Sequence, residues 1–592
     1  MTFYITTPIY YVNDRPHIGH VYTTTVADAL ARYHRLAGDD TFFLTGTDEH
    51  ASKVVDAAAE RDLSPLDWAT RNANVFKDTF DRLRITNDDF IRTTEPRHTQ
   101  KVTEYLRALL QPADAQAEAE RSAASGSDHD DPNVSGGDVY PGTYEGWYDP
   151  GEEEYVPEAR AREHGYKSPI SGRDLVKRTE QNFYFRLSKY APQVIAAMES
   201  GEFDVQPEAR KNEIINRLKE AQDVPISREG KSTEQGGWGI AMPSLDGEPT
   251  GHTVYVWIDA LFNYLTTVDT DDRRKYWEGG ATHLIAKDIL WFHAAIWPAM
   301  LLALKKRAGY EWVRLPKLVY AHSFWIAEGK KMSKTLGNFI DLEKIDATID
   351  AVGELTTKLG EKASEAGGFA DFGRGLDALR YFLCKDGPMG TTDADFAEKA
   401  FWETYNADLA NTLGNSFNRV ANMTHKYFEG VVQEANHGEH GEYGGDTEIE
   451  QRFKALATLH DGDREIVAGY IESMNELTMD HGVGFALDLV SGTDSYIEAT
   501  APFKIAKDES RLPEVGAILY NCAEALRIAS VLLWPVIPDA CEKVWARLGL
   551  GYAARLRDGG AGCLDAWTQW GGLQPGTTIE KGDPLFPRYR EQ

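Results

Sequence analysis

The first fifty residues constrain the fold most. Phe3-Tyr4-Ile5-Thr6 has the aromatic and β-branched character of a strand. A loop containing Pro8, Asn13 and Pro16 interrupts it. From His20 to Leu36 the apolar residues Val21, Val26, Leu30 and Tyr33 recur at helical spacing on one side. Thr41-Phe42-Phe43-Leu44-Thr45 then reads as a second strand. Strand, helix and strand in that order predict a parallel α/β sheet.

The tetrapeptide His17-Ile18-Gly19-His20 opens that helix. A helix N-terminus presents free N–H groups and partial positive charge, which suits a phosphate. Gly19 lets a ligand approach the backbone with no side chain in the way. His17 and His20 carry hydrogen-bond donors for phosphate oxygens. Alone, two histidines at i and i+3 serve equally well to cap and pack a helix start. Far downstream, Lys331-Met332-Ser333-Lys334-Thr335 precedes Leu336-Gly337-Asn338. Two lysines around a small hydroxyl residue in a Gly-flanked loop suit a mobile clamp on a triphosphate. Alone, they fit a basic surface loop.

The pattern along the chain predicts six parts. Residues 1–111 form the first half of the α/β domain. Residues 112–140 are rich in Ala, Glu, Ser and Asp and end near Gly136-Gly137, as in a disordered acidic insertion. A compact insert spans 141–230. The second half of the α/β domain spans 231–325, with strand signals at Thr253–Trp257 and His283–Ala286. A linker region with the lysine loop spans 326–400, and within it 345–374 reads as an added helix and loop. Residues 401–592 are a helical bundle and a polar tail.

Composition sets limits on partners. The chain of 592 residues carries 93 acidic and 63 basic residues, a net charge of -30. Nucleic-acid binders usually show a basic balance. This acidity fits a solvated surface of the kind found in proteins from high-salt cells, where phosphate contacts are weakened by salt in any case. Charge therefore neither supports nor excludes an RNA partner. Cys384, Cys522, Cys541 and Cys563 form no CxxC pair, so no disulfide framework is expected and a reducing cytoplasm fits. No run approaches the roughly 18 apolar residues of a membrane span, and Met1–Pro8 lacks a cationic leader. Neither a membrane nor DNA is expected as a partner.

Together, and in this order on a split α/β domain, the two motifs resemble those of class I aminoacyl-tRNA synthetases. Four further blocks resemble the methionyl-tRNA synthetase family, in its short form: Ile5-Thr6-Thr7-Pro8-Ile9-Tyr10-Tyr11, Thr45-Gly46-Thr47-Asp48-Glu49-His50, Tyr255-Val256-Trp257-Ile258-Asp259-Ala260-Leu261, and Lys287-Asp288-Ile289 through Phe292-His293 to Trp297-Pro298-Ala299. The resemblance implies a Rossmann-like, doubly wound parallel sheet split by a connective insert and followed by an all-α anticodon-binding bundle. It implies activation of L-methionine with Mg²⁺ and ATP and transfer to tRNA(Met). It places Ile9, Tyr11, Trp257, Ala260, Tyr264, Phe292, His293 and Trp297 around methionine, with Asp48 on the ammonium and Tyr11 or His293 within reach of the sulfur. An unbranched thioether suits such an aromatic cage. It places His17, Gly19, His20, Asp288, Lys331, Met332, Ser333 and Lys334 on ATP, of which His17, His20, Lys331 and Lys334 carry the chemistry. Asn415 and Arg419, four apart on a helical face, match the pair that reads the CAU anticodon.

The insert is too short for the hydrolytic editing domain of the leucine, isoleucine and valine enzymes, which need it because a methylene gives only about 1–3 kcal/mol of discrimination. Four departures from the family pattern stand out. Thr335 replaces serine, and Ala286 replaces a glycine beside the nucleotide. Phe503 replaces the tryptophan that stacks on the anticodon. No cysteine precedes Cys384, so no structural zinc is expected. On Phe503 and Ala286 rests a competing reading, a paralog activating methionine or a similar amino acid with an altered tRNA acceptor or none.

Overall fold

Six parallel strands make the central sheet, in the order 89–92, 40–48, 2–11, 281–286, 318–322 and 204–206. The computed structural model describes the chain apart from residues 14, 113–136, 151–153, 157, 170–171, 333–336, 358–368, 435–465, 558–561 and 591–592. The body of the acidic 112–140 insertion and part of the 345–374 loop lie outside the described residues. So do Ser333, Lys334 and Thr335.

The first strand, Thr2–Tyr11, and its neighbour Asp40–Asp48 are joined by the helix Ile18–Ala37. Gly38 ends that helix at φ 99°, its N–H returning to Arg35 and His34 carbonyls. Close pairing fixes Gly46, where a Cβ would meet the Ile91 carbonyl oxygen at 2.1 Å. The segment within 141–230 divides between two structures. Strands Val139–Asp149, Glu154–Val156, Val176–Phe185 and Val224–Pro225 form an antiparallel sheet of their own. Asp204–Gln206, however, pairs with Leu318–Tyr320 as the edge strand of the central sheet. The range read as an insert therefore also supplies part of the parallel sheet.

Helix Leu342–Thr357 packs on helix Phe369–Asp386, which runs into the bundle. One helical stretch corrects the reading that no segment resembles a membrane span. Glu509–Leu533 is long and apolar enough by length and composition, yet its apolar window is 100% buried. It is the centre of the bundle, packed by helices Asn415–Phe428, Met479–Thr500 and Pro538–Arg547. Its charged Glu524 and Arg527 pair with each other at 2.7 Å, both side chains fully buried. Glu524 also takes the backbone N–H groups of Gly571, Gly572 and Leu573.

One core runs through both halves, from Ile5 and Val21 to Leu526 and Phe586. A buried polar knot crosses it. Asp28, midway along the helix that starts at Ile18, accepts from Arg32 at 2.8 Å, Arg380 at 2.7 Å and the Thr86 backbone at 2.7 Å. Arg380 also donates to the carbonyls of Pro535 and Val536. Burial opposes the ionisation of Asp28, but Arg32 and Arg380 hold its pKa down at about 2.

Candidate active site

The sheet order reverses beside the first strand, and a cleft of 490 Å³ opens there, at the carboxyl ends of the strands. Its walls include Tyr10 and Tyr11 from the first strand, His17, Gly19 and His20 from the helix start, Trp257, Ala286 with Asp288, and Phe339.

The two histidines lock the helix start. His17 is the N-cap, and its Nδ1 accepts the Gly19 N–H at 3.1 Å. The His17 N–H in turn donates to Nδ1 of His20 at 3.2 Å, completing a reciprocal capping box. The rings lie 3.8 Å apart. Burial lowers the His17 pKa to about 4. Burial, then the neighbouring His17, drives His20 well below its ordinary value. Both are neutral near pH 7. Because each Nδ1 accepts a backbone N–H, each ring carries its proton on Nε2, leaving two Nε2–H donors on the cleft wall. Capping and phosphate-facing chemistry are thus compatible at the same residues. Gly19 has a reason beyond ligand approach: a Cβ there would meet Cε1 of His17 at 2.9 Å.

The residues that follow the lysine motif adjoin this helix start. Phe339 packs edge-on against His17 with ring centroids 5.2 Å apart. The Ile340 carbonyl accepts the Ile18 N–H at 3.0 Å. Asn338 holds the loop's first residues by donating to the Lys331 carbonyl at 3.2 Å. Lys331 is exposed and Met332 half-buried. Ala286 has φ −82° and ψ 152°, an ordinary extended conformation. The backbone itself does not demand the glycine that the family pattern has there.

The residues expected around methionine fall into two groups. Ile9, Tyr11 and Trp257 line the cleft. Trp257 stacks on Phe292 at 4.2 Å and 10°. Ala260, Tyr264, His293 and Trp297 are buried and do not line it. A π-helical turn, Phe292–Ile296, carries Phe292 and His293; such turns often mark functional sites. His293 donates from Nδ1 to the Ile289 carbonyl at 3.0 Å and accepts the Tyr264 hydroxyl at Nε2, 2.8 Å. Both ring nitrogens of His293 are thus engaged in this arrangement. Asp48 ends its strand directly beside Tyr11. It is 2% exposed, and its Oδ1 has no partner among the described residues. Burial, then Asp259 and Glu49, push its pKa well above the usual carboxylate range.

Sequence reasoning passed over His322, at the end of a short apolar strand. It lines the same cleft, accepting or donating at 2.8 Å with Thr23 of the opening helix. A larger cleft of 670 Å³, lined by His50, Trp238, residues 239–244 and 247–252 among others, contains no residue of either motif. Among the described residues no group of three His, Cys, Asp or Glu side chains is arranged to hold a metal.

In the bundle, Asn415 is exposed at the start of its helix, and Arg419 pairs with Asp494 at 3.2 Å. Phe503 is 44% exposed at the corner where Ala501, at φ 47°, ends one helix and Pro502 begins the next.

The sequence model for class I tRNA synthetases (M) matches residues 3–128, 162–353 and 369–421. The chain belongs to the methionyl-tRNA synthetase family. The methionine–tRNA ligase of Bacillus subtilis is 35% identical over 608 aligned residues, covering 100% of this chain and 78% of that protein. The Caldanaerobacter subterraneus ligase is 36% identical, covering 99% and 79%. The methionyl-tRNA synthetase of Mycobacterium tuberculosis, solved with methionyl-adenylate, superposes with a TM-score of 0.76 at 30% identity over 99% of this chain and 100% of that one. The breaks in the family match, at 129–161 and 354–368, overlap the two stretches that depart from the family pattern in sequence.

Proposed function

We propose that this chain is a methionine–tRNA ligase: it activates L-methionine with Mg-ATP to methionyl-adenylate and pyrophosphate, then transfers the methionyl group to tRNA(Met). One observation carries the reading. In a chain of this family, the neutral histidine pair that caps the opening helix and the flank of the lysine loop meet at a single cleft.

A methionine carboxylate oxygen attacks the α-phosphorus, and the bond to the bridging oxygen breaks to release pyrophosphate. The work is positioning and charge neutralisation. In our assignment, Nε2–H of His17 and His20 donates to the α-phosphate oxygens as charge builds there. Gly19 admits the nucleotide, and Asp288 serves its ribose or adenine side. Lys331 and Lys334, with Met332 and Ser333 of the same loop, close over the leaving pyrophosphate. Mg²⁺ enters as the counterion of the triphosphate, part of the substrate. The terminal ribose hydroxyl of tRNA then attacks the methionyl carbonyl and AMP leaves, so no covalent enzyme intermediate is needed.

Asp48 takes the substrate ammonium, which supplies the partner its Oδ1 lacks. Ile9, Tyr11 and Trp257 form the wall that methionine meets first, backed by Ala260, Tyr264, Phe292, His293 and Trp297. Asn415, Arg419 and Phe503 read the anticodon, Phe503 offering an open ring face for a base. Residues 1–111 with 231–325, completed by the edge strand 204–206, make the activation domain and 401–592 the tRNA-selecting domain, working in the cytoplasm.

The test is ATP–pyrophosphate exchange across the twenty amino acids at low and high KCl, followed by charging of tRNA with a CAU or altered anticodon. Methionine should support exchange and the CAU tRNA should be charged. Exchange driven better by another amino acid overturns the substrate. Intact exchange with no charging moves the assignment to a paralog with a different acceptor.

A further inference from the structure

Behind Asp48 lies a buried assembly that the proposed reaction has not yet used. Asp259 is 1% exposed, on the same helix as Trp257. Its Oδ2 is bonded to Nδ1 of His50 at 2.7 Å, and its Oδ1 to Nε2 of His98 at 2.7 Å. His98, fully buried, is held in turn by Thr266 at 2.9 Å. His50 follows Asp48 by two residues, and its backbone N–H donates to the Asp48 carboxylate.

Three acidic side chains therefore share one buried region: Asp48, Glu49 and Asp259. Two of them are fully engaged. Glu49 is gripped by Arg92 through two nitrogens, at 2.7 and 3.1 Å, and by Thr47 and Thr94. Asp259 has its two histidines. Only Asp48 keeps an oxygen without a partner among the described residues. A buried, unmatched carboxylate oxygen beside other carboxylates is strongly unfavourable until a cation arrives.

We propose that Asp259, clamped between His50 and His98, is a positioning residue for the substrate ammonium: through His50 it fixes the backbone N–H that orients Asp48, and its charge makes the pocket at Asp48 selective for a cation. This rests on the assignment of Asp48 to the ammonium. Asp259 touches no substrate atom; it acts through His50 and through its field.

Two methionine analogues separate this role from general support of the fold. L-Methioninol keeps the ammonium and lacks the carboxylate, whereas γ-(methylthio)butyrate keeps the carboxylate and lacks the ammonium. Both are measured as inhibitors of methionine-dependent exchange by the full chain, with the KM for ATP as an internal control. D259N should weaken methioninol by about tenfold or more, the consequence of losing roughly one strong electrostatic contact. It should leave γ-(methylthio)butyrate and the ATP KM within about twofold, below the size of such a contact. H50A should reproduce the effect, and H50N, which restores an N–H near the Nδ1 position, should recover most of it. These two variants keep the question open to refutation if D259N fails to fold. Equal weakening of both analogues, or of neither, overturns the proposal. D48N distinguishes the levels: if it leaves methioninol binding unchanged, the ammonium is not at Asp48 and the underlying assignment fails. If D48N weakens methioninol while D259N and H50A do not, only the role of Asp259 fails.

Discussion

Gly19→Ala separates stability from catalysis at the helix start. The new Cβ would lie 2.9 Å from Cε1 and 3.2 Å from Nδ1 of the His17 ring, closer than such atoms tolerate. The ring is a side-chain group and will swing away, breaking its 3.1 Å bond from the Gly19 N–H. Losing that cap costs about 0.5–2 kcal/mol of stability. Replacing glycine by alanine in a helix returns about 0.5–1 kcal/mol, so the net loss of unfolding free energy is at most about 1.5 kcal/mol. The effect on activation is of another order. The Nε2–H donor of His17 leaves its place, and the loss of one preorganised donor to a transition state is worth about 2.7–4 kcal/mol. Methionine-dependent ATP–pyrophosphate exchange should therefore fall by about two to three orders of magnitude, while the urea midpoint barely moves. Exchange within about threefold of the parent, less than 1 kcal/mol by the same arithmetic, would refute the assignment of His17 to the transition state. A large fall in both quantities would refute the reasoning about the cap.

Three further outcomes are expected. Lys331→Ala, at an exposed position, should lower exchange by about two to three orders of magnitude with an unchanged unfolding transition; unaltered exchange would sink its role on pyrophosphate. Phe503→Ala should lower kcat/KM for tRNA by about 1–3 kcal/mol of lost stacking and leave exchange untouched, so equal charging by the two proteins would argue against a base on this ring. Asp48, raised by burial and by the charges of Asp259 and Glu49, is protonated in the free site below its raised pKa and must ionise to hold an ammonium. Methionine binding should then release a proton and weaken as the pH falls. Without methionine the sign reverses: ionising Asp48 costs stability as the pH rises through that pKa, so methionine should protect against unfolding most at the alkaline end. Titration calorimetry in two buffers of different ionisation enthalpy reads the proton directly, and a binding heat that does not depend on buffer would contradict it.

The sequence was most informative where chemistry and local structure use the same residues. The His17–His20 segment was legible because a cap, a glycine and a helical apolar stripe leave fixed spacings, and the first two strands because their buried runs are long. Asp204–Gln206 was not legible as a sheet strand, since three residues cannot show an alternating pattern. Helix Glu509–Leu533 escaped notice as an apolar segment because Glu524 and Arg527 interrupt it; only the structure shows that the two neutralise each other inside. The residues expected around methionine can be named as a set from sequence, but their division into cleft wall and buried backing is set by packing between elements distant in the chain, which spacing does not show. His322 gave a weak signal. A histidine closing an apolar strand reads as core, and its contact with Thr23 spans 299 positions of sequence.

The knot at Asp28 bears on how separable the two halves of this molecule are. Arg380 belongs to the helix leading into the bundle, and besides the Leu83 carbonyl it donates to the carbonyls at 535 and 536, deep in the C-terminal half. Removing that half would leave a buried guanidinium short of acceptors and open part of the core that holds Val21, Val26 and Leu30, residues of the helix that His17 caps. That helix of 20 residues is about 30 Å long, tied midway to Arg380 and starting at the 490 Å³ cleft. The α/β half is consequently no portable cassette: joining it to a different helical partner requires carrying Arg380 and its acceptors along, or replacing Asp28 and Arg380 together.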